Sequence, residues 1–189
     1  MLVRSFAGDR VWHRFEDELA SGRVTLREVL AREAEMVRLS QPEALAFLEA
    51  HATVDPTFRD FVHAAHARGA SVAVVSSGVR QVIGPALERA GIDVPVYAND
   101  VDFHPDGWRM TFIDESANGH DKAARVAAAR DAGARTVYVG DGVSDYEAAL
   151  AADVRFAKQG RALEGYLAAR GIAFTPFASF AEIARALFT

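Results

Sequence analysis

The feature that most constrains the fold is a run of β-branched apolar residues, Ser71–Ser76, that shows no alternation of apolar and polar positions. A strand with this pattern has to be covered on both faces, which is typical of parallel sheets between layers of helices. Comparable short runs follow at Val94–Ala98, Thr136–Val139, Val154–Ala157 and Ile172–Phe174, with alanine-rich helical segments between them. The alternation predicts an α/β fold built on a doubly wound parallel sheet.

The first fifty residues carry helical patterns only. Apolar residues recur at helical spacing over Val11–Leu19, and Thr25–Glu28 and Ser40–Glu43 both have the hydroxyl and carboxylate spacing of a capping box. We therefore predict a small helical layer over residues 1–54 and an α/β core over residues 55–189. Within the core, residues 100–113 interrupt the alternation and predict a β-hairpin around the turn Pro105–Gly107.

Composition excludes several classes of function. The chain has no cysteine, which excludes disulfide frameworks, thiolate zinc sites and cysteine nucleophiles. Its net charge of −5 and the lack of a basic block argue against a nucleic acid or an anionic membrane surface as partner. No apolar run approaches the roughly 18 residues that a membrane span needs, so we expect a cytoplasmic protein.

Polar residues stand where the predicted strands end, and in an open α/β sheet ligands bind at the carboxyl ends of the strands. Ser76 offers a hydroxyl group there, and Ser77 and Gly78 offer backbone N–H groups before a predicted helix, which favours an anion. The third predicted strand is followed by the loop Gly140–Asp145.

That loop and a lysine complete the pattern. Asp141 and Asp145 flank a glycine, and their hard carboxylate oxygens suit Mg²⁺. Lys122 stands at a predicted helix start and supplies a positive charge that can offset the charge of a transferring phosphoryl group. Taken singly, these features are an ordinary turn, a solvated lysine and a common loop. Their order at successive strand ends is what favours a phosphate-ester site.

On these residues the chain resembles the haloacid dehalogenase superfamily, in its phosphoserine-phosphatase-like branch with a helical cap. Val72–Gly78 is similar to the second motif of that family, Lys122 to the third and Gly140–Asp145 to the fourth, and the methionine-salvage phosphatases look nearest. The resemblance implies Mg²⁺-dependent hydrolysis of a small phosphomonoester through an aspartyl-phosphate. It implies catalytic roles for Ser76, Lys122 and Asp145, phosphate binding by Ser76, Ser77, Gly78 and Lys122, and metal binding by Asp141 and Asp145.

The first motif of the family, a strand that ends in Asp-x-Asp-x-Thr and supplies the nucleophile, is not in this sequence. Asp9 is followed two positions on by Val11 and is more typical of a helix N-cap. We expect that the gene product begins upstream of Met1, and that this chain has little or no turnover. The alternative is a catalytically inert phosphate-binding or interaction protein, in which Met1–Phe6 or a second copy of the chain fills the missing strand position.

The sequence limits the substrate only to a small phosphorylated metabolite. Polar cap residues are candidates for contacting its leaving group, and an arginine among them suits a substrate carboxylate such as that of phosphoserine. These candidates are Trp12, His13, Arg14, Glu16 and Arg38. For any one of them, an ordinary surface position on an amphipathic helix is the more common explanation.

The segment near the third motif and the aromatic residues of the hairpin bear on which relatives and partners are expected. The methionine-salvage phosphatases carry a cysteine-rich insertion near the third motif, whereas this chain has Glu115–His120 there. The six histidines are scattered along the chain and do not have the spacing of metal ligands. A homodimer through the hairpin aromatics Phe103, Trp108 and Phe112 is possible on the sequence, and packing onto the sheet explains these residues equally well.

Overall fold

The computed structural model describes residues 9–51 and 53–189. The predictions for Met1–Phe6 and for the side chains of Asp9, Trp12 and Glu16 lie outside the described residues. Its helices are α1 (Asp9–Ala20), α2 (Leu26–Glu35), α3 (Gln41–His51), α4 (Phe58–His66), α5 (Arg80–Arg89), α6 (Lys122–Asp131), α7 (Tyr146–Ala151), α8 (Ala162–Ala169) and α9 (Phe180–Phe188). Its strands are β1 (Val74–Val79), β2 (Val96–Asp102), β3 (Arg109–Thr111), β4 (Val137–Gly140), β5 (Val154–Lys158) and β6 (Thr175–Phe177).

The described chain forms two compact units. The first comprises the described part of Met1–Val54 together with Ala73–His120, and the second comprises Asp55–Val72 together with Asp121–Thr189. The first unit has a sheet of order β1-β2-β3, with β1 parallel and β3 antiparallel to β2. The sheet of the second unit has the order β4-β5-β6 and is parallel throughout. The predicted α/β class with parallel strands is confirmed, although the strands hydrogen-bond into two sheets.

The predicted hairpin is confirmed, whereas the predicted bounds of strand β1 are corrected. Asp100–Asp102 pairs antiparallel with Arg109–Thr111, as the turn at residues 105–107 predicts. Strand β1, predicted at Ser71–Ser76, instead begins at Val74. There the Val74 N–H donates to the Pro95 carbonyl, 2.9 Å away, and the parallel ladder with β2 starts. Ser76, Ser77 and Gly78 therefore lie inside β1, and α5 begins only at Arg80.

Two further strand bounds are corrected by their partners. Strand β2 continues past the predicted end at Ala98 because its last residues form the hairpin with β3. The final strand, predicted at Ile172–Phe174, is Thr175–Phe177, since these are the residues that pair with Phe156–Lys158. In each case the pairing with a neighbouring strand, and not the apolar pattern of the segment, sets the bound.

Helices α2 and α3 begin at the two capping boxes that the sequence contains. Thr25 Oγ1 accepts a hydrogen bond from the Glu28 N–H at 3.2 Å, and the Glu28 carboxylate accepts one from the Thr25 N–H at 2.7 Å. Hydrogen bonds from the backbone and side chain of Thr25 hold the pKa of Glu28 below its usual range. At the next helix the Ser40 N–H donates to Glu43 at 2.8 Å. Both start signals are confirmed.

The hairpin supports α2 and the segment after it within the first unit. Trp108 is only 3% exposed, its backbone N–H donates to the Ala34 and Val37 carbonyls, and its indole N–H donates to the Leu39 carbonyl at 2.6 Å. These bonds join the hairpin to the last turn of α2, through Ala34, and to the segment after it, through Val37 and Leu39. Trp108, one of the aromatics behind the homodimer prediction, is thus buried in its own chain.

The second unit has its own core. Its largest fully buried side chains are Phe156, Leu163, Leu167 and Ile183. Helices α4 and α9 pack through aromatic rings, with the centroids of Phe58 and Phe180 4.4 Å apart. None of the described helices has the length and apolar character that crossing a membrane requires.

Replacing Gly107 by alanine is expected to destabilise the first unit. The backbone of Gly107 has φ +129, and a Cβ there would lie 2.1 Å from the Glu35 carbonyl oxygen. Strain and the clash together should cost about 3 kcal/mol. Gly22→Ala is the control, because Gly22 also has a positive φ but open space around it, and should cost about 1 kcal/mol. Equal losses in denaturant unfolding would contradict the close hairpin contact.

The stability of the first unit should fall as the pH rises through neutrality. Burial raises the pKa of Glu33 to about 7, from an unfolded value near 4.5. A raised folded pKa contributes stability that is present below the unfolded value and lost as the pH rises through the folded value. Guanidinium unfolding at pH 5 and pH 8 should show this loss in the wild type, and Glu33→Gln should abolish it. The exposed neighbour variant Glu35→Gln should retain it.

Candidate functional site

A buried ion pair lies at the centre of a cluster of polar side chains in the second unit. Lys122 begins α6, where the Asp121 carboxylate accepts a hydrogen bond from the Ala124 N–H at 2.8 Å and caps the helix. The Lys122 ammonium donates to Asp145 Oδ1 at 2.6 Å and to Ser144 Oγ at 2.8 Å. Lys122 is 7% exposed and Asp145 is 5% exposed. Two charges this deep are tolerated only when they are paired and hydrogen-bonded.

Both carboxylate oxygens of Asp145 are fully used. Oδ1 accepts from Lys122 and from the Tyr138 hydroxyl at 2.7 Å, and Oδ2 accepts from the backbone N–H groups of Asp141 and Gly142, each at 2.9 Å. These four donors match the roughly four lone-pair positions of a carboxylate. A direct bond from Asp145 to a metal ion would have to displace one of them.

The same contacts determine the protonation states of Asp145 and Tyr138. Burial alone would raise the pKa of Asp145, but the Lys122 charge and the hydrogen bonds from Lys122, Gly142 and Tyr138 outweigh it and hold that pKa below its usual range. Burial, followed by the neighbouring Asp145 charge, raises the pKa of the Tyr138 hydroxyl. Asp145 therefore stays an anion, and Tyr138 stays a hydrogen-bond donor to it.

Glycine is required where β4 meets the loop. A Cβ on Gly140 would lie 2.8 Å from the carboxyl group of Asp145, so any larger residue would push that carboxylate away. The short 3₁₀ helix Val143–Asp145 turns the carboxylate back beneath the end of the strand. Asp141, at the opposite end of the loop, is exposed, and none of the described residues donates a hydrogen bond to its carboxylate.

The first unit has its own cluster of polar residues, near the end of β1. Ser76 Oγ accepts a hydrogen bond from the Gly78 N–H at 3.0 Å, so two groups that the sequence offers to a phosphate are bonded to each other in this structure. The Ser77 hydroxyl is buried and donates to the Asn118 carbonyl at 3.0 Å.

Two residues that the sequence did not single out as functional hold this strand end. Asn99 is 0% exposed, and its amide donates to the Ser77 carbonyl at 2.9 Å while its oxygen accepts from the Ile113 N–H at 3.0 Å. His120 is 1% exposed, and its Nδ1 lies 3.0 Å from the Ser76 carbonyl oxygen. The available signals were a polar residue inside a buried strand and a histidine two positions before Lys122.

The sequence-predicted residues thus fall into two groups, each of which the structure describes within one unit. Ser76, Ser77 and Gly78 are consecutive in β1 of the first unit, and Lys122 and Asp145 are bonded to each other in the second. That the two groups serve one phosphate stays a prediction.

Three of the candidate leaving-group residues have described side chains, and they lie on the surface, on α1 and in the segment between α2 and α3. Arg14 is exposed, pairs with Glu18 at 3.9 Å and lies over the Phe15 ring, with its guanidinium carbon 5.4 Å from the centroid. His13 and Arg38 are also exposed. An i, i+4 pair of this kind contributes only a few tenths of a kcal/mol (about 0.3–0.5).

Residues 4–150 match the sequence model of the haloacid dehalogenase-like hydrolases. The chain belongs to that family. Among its relatives, Pdp3-interacting factor 1 of Schizosaccharomyces pombe is 32% identical over 88% of this chain and 77% of its own length. Polyol phosphate phosphatase of Saccharomyces cerevisiae is 31% identical over 92% of this chain and 77% of its own length.

The expected likeness to methionine-salvage phosphatases is also confirmed. The 2-hydroxy-3-keto-5-methylthiopentenyl-1-phosphate phosphatase of Exiguobacterium sibiricum is 31% identical over 72% of this chain and 64% of its own length. A solved phosphoserine phosphatase, a phospho-aspartyl intermediate analogue, superimposes with a TM-score of 0.72 at 17% identity, covering 100% of this chain and 90% of that one. At that identity the superposition establishes the fold.

The donor set fits a magnesium ion of limited protein coordination. Among the described residues, no group of three or more His, Cys, Asp or Glu side chains is placed to hold a metal ion. Mg²⁺ commonly uses one or two carboxylates and completes its shell with waters and substrate phosphate oxygens. Asp141 provides one such exposed carboxylate, whereas Asp145 is occupied by its four donors.

Asp145→Asn should destabilise the second unit strongly. The substitution leaves the buried Lys122 ammonium without its counter-charge, which typically costs about 3–5 kcal/mol. Because the folded pKa of Asp145 is lowered, its contribution is present above the unfolded pKa near 3.9 and is lost as the pH falls towards the folded value. The difference between wild type and variant should therefore shrink below about pH 4.

Asp141→Asn is the matched control in urea unfolding. Its carboxylate is exposed in the same loop, so the variant should stay within about 0.5 kcal/mol of the wild type. Equal losses in the two variants would contradict the central place of the Lys122–Asp145 pair.

Proposed function

We propose that this chain binds the phosphate group of a small phosphomonoester, in the manner of a phosphatase, with Lys122 and the residues Ser76–Gly78 as its phosphate ligands. The observation that carries the proposal is the buried Lys122–Asp145 pair. A lysine that is buried, charged and hydrogen-bonded costs desolvation energy that packing alone does not require. An ammonium group so constrained is suited to oppose the charge of phosphoryl oxygens.

Each residue has a distinct part in the proposed site. Lys122 supplies the positive charge, and Asp145, with Tyr138 and Ser144, holds the ammonium group in its orientation. The Ser76 hydroxyl and the N–H groups of Ser77 and Gly78 donate to the phosphate oxygens, which requires the Gly78 N–H to release Ser76 Oγ. Asp141, with Asp145 behind it, would hold Mg²⁺. The bound ion would neutralise part of the phosphate charge.

The relatives support a small phosphorylated metabolite as ligand. Two of them are named for a polyol phosphate and for a methylthiopentenyl phosphate, both of which carry one phosphate ester on a small carbon chain. We propose that this chain binds a ligand of the same class and that it does so in the cytoplasm. Phosphoserine remains within it, although the described cap arginine Arg14 is paired with Glu18 on the helix surface.

We further propose that the chain binds phosphate with little or no turnover. The aspartyl-phosphate route of this family needs a carboxylate nucleophile with a second carboxylate two positions on, followed by threonine, and the sequence lacks that Asp-x-Asp-x-Thr motif. Without a nucleophile the covalent route is lost, and general acid–base assistance alone typically contributes about 10²–10⁴-fold.

Calorimetric titration with inorganic phosphate, with and without MgCl₂, tests the binding. Lys122→Met should weaken phosphate binding at least about tenfold, the equivalent of about 1.4 kcal/mol. Lys158→Met is the matched control, because Lys158 is the other lysine of the chain and its ammonium binds the Ala178 carbonyl in the same unit. Asp141→Asn should fold normally and lose any enhancement by MgCl₂. A wild-type chain that binds no phosphate would contradict the proposal.

Turnover is tested separately with p-nitrophenyl phosphate. We expect a rate near that of buffer in the presence of MgCl₂. Hydrolysis that depends on MgCl₂ and disappears in Asp141→Ala would show an active phosphatase and would reject the inert form of the proposal.

A further inference from the structure

His120 carries the single buried side-chain polar atom that lacks a hydrogen-bond partner among the described residues. That atom is Nε2, in a side chain that is 1% exposed. Buried polar groups in native proteins are nearly always bonded, so an orphaned nitrogen needs an explanation. The other nitrogen of the ring provides one.

The hydrogen bond of Nδ1 determines the state of the ring. Nδ1 lies 3.0 Å from the Ser76 carbonyl oxygen, and a carbonyl can only accept. Nδ1 therefore carries the proton and donates, and in the neutral imidazole Nε2 is left as an acceptor. A buried leucine or phenylalanine would fill space there without an orphaned nitrogen, so packing alone does not account for an imidazole.

The Ser76 carbonyl lies where the β1–β2 ladder is irregular. Val75 pairs with Tyr97 and Val79 pairs with Asn99, so the register shifts between them and Ser76–Gly78 falls in the irregular stretch. Side chains replace the ladder there, because Asn99 donates to the Ser77 carbonyl and His120 donates to the Ser76 carbonyl. The path of the backbone over these residues depends on those two bonds.

We propose that His120 is a positioning residue, whose Nδ1–H holds the Ser76 carbonyl and so orients the Ser76 hydroxyl and the N–H groups of Ser77 and Gly78 towards a phosphate. The role rests on the proposed phosphate binding. The Asn99 bond fixes one carbonyl of this stretch, and the His120 bond fixes the preceding one. His120 stands two positions before Lys122 in the sequence, so one short segment carries both a phosphate ligand and the residue that orients the others.

Three substitutions separate positioning from packing. His120→Asn places an amide N–H near the position of Nδ1, His120→Gln places one near the position of Nε2, and His120→Leu has neither. We expect His120→Asn to bind inorganic phosphate within about threefold of the wild type, and the other two to bind roughly tenfold more weakly, as for a lost hydrogen bond. The control is His63→Leu, an exposed position on α4, which should bind as the wild type does.

Unfolding midpoints distinguish a structural role. His120→Leu removes the orphaned nitrogen but also the donor to the Ser76 carbonyl, so its unfolding midpoint is compared with that of His120→Gln, and both variants should bind phosphate more weakly than their stabilities alone would give. A purely structural residue would instead give affinities that follow the stabilities of the variants. Recovery of binding by asparagine and not by glutamine supports positioning through Nδ1.

The ring can also be observed directly without ligand. ¹⁵N NMR of the full chain should show His120 protonated at Nδ1 and unprotonated at Nε2, and the opposite tautomer would overturn the inference. If the wild type binds phosphate and all three variants bind equally, the positioning role alone is overturned. If the wild type binds no phosphate, the proposed function is overturned, and this role with it.

Discussion

The second unit depends on a charged pair that it keeps away from water. Lys122 and Asp145 are almost completely buried, and the Lys122 ammonium lies 2.6 Å from Asp145 Oδ1. The neighbouring residues bond to this pair or leave space for it. Tyr138 and two backbone N–H groups complete the carboxylate, and Gly140 leaves room for it. A partly satisfied buried network would be worse than an apolar core, so the loop between β4 and α7 has little freedom to vary.

The first unit meets the same constraint with neutral groups. Its strand β1 leaves the regular ladder near Ser76, and backbone carbonyl groups freed by that irregularity have to be satisfied. Asn99 and His120 satisfy them from side chains that are as buried as any in the unit. Each unit therefore has buried polar residues near a strand end for which the sequence predicts phosphate ligands.

The comparisons separate what the fold needs from what the chemistry needs. A phosphoserine phosphatase shares the fold at 17% identity, because helices and covered strands require only an apolar pattern that many sequences satisfy. Phosphate binding requires particular groups, and Lys122, Asp141 and the Ser76–Gly78 segment are present. Covalent turnover requires one more group in a motif that this sequence does not contain. On the proposed function, phosphate binding and covalent turnover therefore depend on different residues.

The sequence by itself determined the α/β class, the helical character of the described residues 9–51, the capping boxes at Thr25 and Ser40 and the hairpin turn. These features depend on residues within a few positions of one another, so local patterns are enough to predict them. Tertiary structure alone decided the start of β1 at Val74, the division of the strands into two sheets and the saturation of Asp145 by four donors. It also decided that Asn99 and His120 hold the end of β1, because a strand's register and a buried group's partner are set by residues distant in the chain, and no local periodicity records them.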